Sequence, residues 1–211
     1  MKRIGRMGLM AVLGFFSLAL AAVPRDPAEL IKTTAEQVRA RVAVERDTLR
    51  TDRDRLHQLV DDLILPHFDF DQMSQRVLGK HWQGANSTQR ERFIDEFRKL
   101  LIRTYALALL DYVDREVRYF PVRAEPGAQM VTVKTEIDRP GGAAMPISYR
   151  LHITDDAWKV SDITVDGVSL VNTYQASFRS EVRKGGIDGL IDSLAAKNAT
   201  NPPPQTNAPP Q

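Results

Sequence analysis

The chain has 211 residues, 43% of them apolar and 27% charged, the balance of one ordinary globular domain; this excludes a wholly disordered chain and a multi-span membrane protein. It contains no cysteine, so disulfides, thiolate catalysis and cysteine-held metal centres are excluded. The net charge of +2 rests on the N-terminus: residues 1–21 carry Lys2, Arg3 and Arg6 and no acid, and beyond them 26 basic residues face 27 acidic ones, a net of −1. A nucleic-acid partner thereby loses its electrostatic argument.

The first element is an export signal. Lys2, Arg3 and Arg6 precede a mostly apolar run from Met7 to Leu20, and Ala19-Leu20-Ala21 supplies the small residues of a cleavage site. The run is too short to span a bilayer comfortably, and no cysteine follows it to carry a lipid anchor. Residues 1–21 are therefore expected to be removed, leaving a domain of residues 22–197 and a tail of residues 198–211.

Helices come next. Asp26-Pro27 predicts an N-cap and first helical position, and Leu30, Ile31, Thr34, Val38 and Val42 mark one face at helical spacing. A second helical segment carries Leu56, Leu59, Val60, Leu63 and Ile64 and stops before Pro66. Asp69 reads as the N-cap of a short helix through Met73, Val77 and Leu78 to Gly79. Thr88 with Glu91 reads as a capping box for the strongest helix, which runs to about Tyr112 with Phe93, Ile94, Phe97, Leu100, Leu101, Thr104, Tyr105, Ala108 and Leu109 on its apolar face.

After Asp114 the period changes to two. Strands are expected over Val117–Arg123, Met130–Asp138, Pro146–Thr154 and Ala157–Val168, with short connections that imply an antiparallel meander. Val131, Val133, Thr135 and Ile137 share one face of the second strand; Ile147, Tyr149, Leu151 and Ile153 share one face of the third, leaving Ser148, Arg150 and His152 toward solvent. The phase of the fourth slips between Val160 and Ile163, the mark of a bulge. Two helical pieces close the domain, one with Leu170, Val171, Tyr174, Phe178 and Val182 that ends at Lys184-Gly185-Gly186, the other with Ile187, Leu190, Ile191 and Leu194. From Asn198 the tail is polar and proline-rich and reads as disordered. The sum is an α+β domain, helices packed on one face of a curved four-stranded antiparallel sheet.

Signals of catalysis are weak. His57 and Asp61 have the i,i+4 spacing of a metal pair but lack a second histidine, and Asp69 with Asp71 is an acid pair more simply explained by helix capping. No GxSxG, P-loop or GxGxxG motif occurs. A base acting on a small apolar substrate would have to be Asp162, which lies where the strand phase slips. The apolar strand faces are more informative, because a curved sheet beneath amphipathic helices is either a filled core or the wall of a ligand cavity. Periodicity does not separate the two.

Asp69-Phe70-Asp71-Gln72-Met73-Ser74, followed by Val77-Leu78-Gly79-Lys80-His81-Trp82, resembles the MlaC family of toluene-tolerance auxiliary proteins. The likeness continues through Gln89-Arg90, Phe93, Phe97, Leu100-Leu101 and Thr104-Tyr105-Ala106 to Leu109. It resumes at Tyr149, Trp158-Lys159-Val160 and Asp166-Gly167-Val168-Ser169-Leu170-Val171, and ends with Tyr174, Ser177-Phe178, Gly189-Leu190-Ile191 and Lys197-Asn198, covering about residues 27–198. Ser161, Asp166 and Gln175 depart from the family's usual aromatic, glutamate and arginine.

The resemblance implies a nuclear-transport-factor-like cone with an internal lipid cavity. It implies a periplasmic phospholipid carrier working between an outer-membrane lipoprotein–porin complex and an inner-membrane ABC transporter with a substrate-binding hexamer, maintaining outer-membrane lipid asymmetry. No catalytic step, no metal and no cofactor other than the phospholipid cargo is implied, and the chain is expected to be a monomer. The residues expected to meet the lipid are Leu101, Tyr105 and Leu109 on the long helix and Val131, Val133, Thr135, Ile147, Tyr149, Leu151, Val160, Ile163, Val165 and Val168 on the strands. The alternatives are a non-catalytic envelope adaptor with a filled core and a cone-fold enzyme.

Overall fold

A computed structural model describes residues 26–125, 127–139 and 141–200. The expected leader and most of the tail lie outside these residues. Helix α1 (Pro27–Thr51) starts as expected: the Asp26 carboxylate accepts from Ala28 N at 2.7 Å, and Pro27 occupies a first-turn position where no N–H is missed. Asp52 ends α1 and begins α2 (Arg53–Leu63), its carboxylate accepting from Arg55 N at 3.0 Å. A 3₁₀ turn (Leu65–His67) leads to α3 (Phe70–Leu78) and the short α4 (Lys80–Gly84).

Helix α5 (Ser87–Tyr112) has its capping box two residues earlier than expected. Asn86 Oδ1 accepts from Gln89 N at 2.9 Å, and Gln89 Oε1 accepts from Asn86 N at 3.1 Å. Asparagine caps as well as threonine does, and starting at Ser87 puts Thr88 inside the first turn. The two closing pieces form one element, α6 (Leu170–Ala199), broken at Gly186 with φ 68° and ψ −171°. That backbone suits glycine alone. Helix α6 also outruns the expected domain end at residue 197: Asn198 Nδ2 donates to Glu96 O at 2.9 Å and to its carboxylate at 2.7 Å.

Among the described residues the sheet is an antiparallel meander of five strands in chain order, one more than expected: β1 (Val117–Tyr119), β2 (Met130–Ile137), β3 (Met145–Thr154), β4 (Ala157–Val165) and β5 (Val168–Ser169). The extra strand arises because Asp166-Gly167, both at positive φ (48° and 82°), folds the expected fourth strand into a two-residue hairpin. The phase slip is the expected bulge: Arg150 pairs with Asp162 and Leu151 with Val160, so Ser161 is the surplus residue, and Val160, Ser161 and Asp162 are buried in succession.

Among the described residues the apolar interior falls into three clusters. One joins α3, α5 and α6 around Phe93, Phe97, Phe178 and Leu190. A second joins α1, α2 and α5 around Val42, Leu56 and Leu110. The third is on the sheet, where Val131, Val133, Leu151 and Val160 are capped by Ala28, Leu30 and Ile31 at the start of α1. Among the described residues, neither helical cluster contains a strand residue. Phe68 links sheet and helices by packing against both the first and the third cluster.

Candidate binding site

Strand pairing sets which side chains share the inner face of the sheet. Opposed residues lie on the same side, so Val133 with Tyr149, Tyr149 with Ile163, Leu151 with Val160, and Thr135 with both Tyr119 and Ile147 form one continuous face. Its centre is closed: Val133 and Leu151 have no exposed surface. Toward its flanks Tyr149, Ile163 and Val165 keep part of their surface open. Burial nonetheless pushes the Tyr149 phenol up to about 12, because a phenolate is disfavoured away from water.

The thirteen residues expected at this site divide. Val131, Val133, Leu151 and Val160 are the buried core of the sheet cluster, with Tyr149 and Ile163 packed against it. Thr135 and Ile147 are buried on the same face, and Val165 pairs with Ile147 beside them. The α5 residues do not join them: Leu101 belongs to the first helical cluster and Leu109 flanks the second. Tyr105 is 40% exposed next to Tyr174, and Val168 is 36% exposed on β5.

Three hydroxyls interrupt the apolar face. Tyr119 stands directly opposite Thr135, and Tyr149 lies diagonally across β3. Thr135 is 2% exposed and its Oγ1 has no hydrogen-bond partner. The Tyr149 phenol is close to it but outside hydrogen-bonding geometry. Burial also raises the Tyr119 phenol, against the pull of Arg39 on α1.

On the outer face, strand alternation misplaced His152. It is 7% exposed rather than solvent-facing, and its Nε2 lies 2.8 Å from Asp69 Oδ2. Asp69 is indeed the cap of α3, its Oδ1 accepting from Gln72 N at 2.8 Å, and its own N–H donates to Val160 O at 2.9 Å. The loop before α3 thus covers a residue that alternation assigns to solvent. Asp162, the expected candidate base, is buried and fully engaged. It accepts from Ser169 Oγ at 2.8 Å, Val171 N at 3.2 Å and Arg76 at 3.5 Å. A carboxylate so occupied anchors α3 and α6 to the sheet.

Beside this joint opens a cleft of about 610 Å³ with apolar walls from Leu65, Phe68, Phe70 and Ile94. Its rim carries Asp61, Asp69, Asp71, Arg98 and Lys159; Arg98 pairs with Asp61 at 2.9 Å, and Lys159 donates to Pro66 O. Among the described residues no cluster of three or more histidine and carboxylate groups is placed to hold a metal, and no helix is long and apolar enough to cross a membrane.

These features define an α+β domain whose apolar sheet face is covered by the start of α1 and by Phe68, with α3 and α6 anchored to β4 through Asp162. The sequence model of the MlaC protein family matches residues 32–196, and the chain belongs to that family. It is 24% identical to the toluene tolerance protein Ttg2D of Pseudomonas putida over 99% of this chain and 98% of that one. It is also 24% identical to the intermembrane phospholipid transport system binding protein MlaC of Haemophilus influenzae, over 88% and 89%. Among solved structures it is similar to a phospholipid-binding protein of Ralstonia solanacearum in complex with a phospholipid, with 32% identity, a TM-score of 0.76, and coverage of 82% of this chain and 97% of that one.

Proposed function

We propose that this chain is a periplasmic phospholipid carrier, moving lipid between an outer-membrane lipoprotein–porin complex and an inner-membrane ABC transporter with a substrate-binding hexamer, and so maintaining outer-membrane lipid asymmetry. It is a binding protein and not a catalyst. The observation that carries this reading is the likeness in fold, at 32% identity, to a phospholipid-binding protein in complex with a phospholipid.

The physics fits the role. Each methylene moved out of water is worth about 0.8 kcal/mol, so two tails of about 15 methylenes hold ~24 kcal/mol against free diffusion. The eight residues of β2 span about 26 Å, and a tail that fills half a bilayer core needs about 15 Å. In this reading the tails lie against Val131, Val133, Thr135, Ile147, Tyr149, Leu151, Val160, Ile163 and Val165, with Val168 at the margin, while Leu101, Tyr105 and Leu109 stay with the helices. The closed centre at Val133 and Leu151 means that helices and sheet part to admit a tail, a population shift that the lipid itself drives. The phosphate stays in solvent, which avoids burying a charge.

Native mass spectrometry of protein taken from the periplasm tests this. The expected species begins at Ala22 and carries the mass of one or two phospholipids. A chain that is always lipid-free, and that takes none up from vesicles, overturns the reading.

A further inference from the structure

We propose that Thr135, with Tyr119 and Tyr149 beside it, is the seat of a ligand ester carbonyl, so that this site distinguishes ester-linked from ether-linked lipid tails. The inference rests on the phospholipid reading above and deepens it by naming the part of the lipid that is recognised by a hydrogen bond.

The argument starts from an unmet donor. Buried hydroxyls in folded proteins have partners, yet Thr135 is 2% exposed and its Oγ1 has none. The side chain shares the face of Val131, Val133 and Ile137, which faces the interior. Across the strands stand Tyr119, directly opposite, and Tyr149, on the diagonal. The positions around them, Val133 and Ile147, are apolar. Thr135 Oγ1 stays unpaired in this closed arrangement although the Tyr149 phenol is close by, which leaves one buried hydroxyl on an apolar wall open to a ligand group.

The chemistry of the acceptor follows from the surroundings. A phosphate does not suit the site: Arg39, the cation that acts on Tyr119, spends its guanidinium on the carbonyls of Val113 and Arg115 at 2.9 Å each, and an uncompensated buried anion is far more costly than a neutral group. A plain hydrocarbon tail offers no acceptor at all. A neutral ester carbonyl at the head of an acyl chain accepts one or two hydrogen bonds and continues into methylenes that match the apolar wall. A bound water satisfies the same donor, and the experiment separates the two.

The delipidated full chain is incubated with vesicles of equal parts diacyl phosphatidylcholine and its dialkyl ether analogue of the same chain length. Bound lipid is extracted and quantified by mass spectrometry. One hydrogen bond in a dry site corresponds to a preference of about fivefold to tenfold for the ester. Thr135→Val, nearly isosteric, lowers that preference to about twofold or less while total loading persists. Thr135→Ser keeps the hydroxyl and keeps the preference. Tyr149→Phe, an independent variant that leaves Thr135 in place, lowers it in part. Equal uptake of both lipids by the parent, or an unchanged preference in Thr135→Val, overturns the inference and leaves the carrier reading standing. Uptake of neither lipid by the parent overturns both.

Discussion

Asp69 does more than one job with two oxygens. Oδ1 caps α3 and Oδ2 meets His152 Nε2 at 2.8 Å and Thr154 Oγ1 at 3.3 Å, while the adjacent Phe68 joins the sheet cluster to a helical one. Asp69→Ala removes the cap, at about 1 kcal/mol. It also leaves a buried imidazole N–H without an acceptor, at about 1–3 kcal/mol. The expected loss is about 2–4 kcal/mol. At roughly 2–4 °C per kcal/mol for a domain of this size, the thermal midpoint falls by about 5–15 °C. Asp69→Asn retains an oxygen to cap the helix and polar contact with the ring, so its cost is about 1 kcal/mol. Urea titration of Asp69→Ala, His152→Leu and the double variant gives a coupling of about 1–2 kcal/mol if the pair is the joint described here. Equal losses for Asp69→Asn and Asp69→Ala, or a coupling below about 0.5 kcal/mol, refute the reasoning.

Tyr149 is raised by burial to about 12, so its folded form holds the proton more tightly than the unfolded chain. The stability it contributes is complete below the ordinary phenol range near 10 and is lost as pH rises toward 12; in delipidated protein, Tyr149→Phe flattens the alkaline decline of the thermal midpoint. Glu96 is shifted the other way. Burial works to raise it, but hydrogen bonds from Lys99 and Asn198 hold it below the ordinary value of 4.5. The contact it gives to the end of α6 is therefore present above that value and lost as pH falls below it, so the protection factors of the last turns of α6, exchange rates corrected for the intrinsic slowing in acid, fall in the parent, and Glu96→Gln removes that pH dependence. Gly186→Ala meets no neighbouring atom but forces an L-residue to φ 68°, which costs about 1–2 kcal/mol by chemical denaturation; a neutral result shows that α6 straightens through the break.

Element types were legible because each segment advertises its own period. The face of α5 and the alternation in β2 and β3 are local patterns, and Asp26-Pro27 and Asp69 announce their caps within a turn. What escaped was settled by residues far apart in sequence. His152 sits on the polar side of β3 by alternation, and nothing near it says otherwise; it is buried because Asp69, distant in the chain, is drawn over it by the backbone contact at Val160. The Asp166-Gly167 turn was readable in principle, since Asp-Gly between apolar residues is a strong hairpin signal, but only two strand residues follow it before α6 begins. The site itself is the hardest case. Alternating Val131, Val133 and Thr135 is the same string over a solid core and over a cavity wall, because period reports direction and not the distance to the opposing layer. Thr135 carries the one local hint: a hydroxyl on a face of branched hydrocarbons is a β-former like its neighbours, and only the strand register, which puts Tyr119 and Tyr149 around it, turns it from a propensity choice into an unmet hydrogen bond.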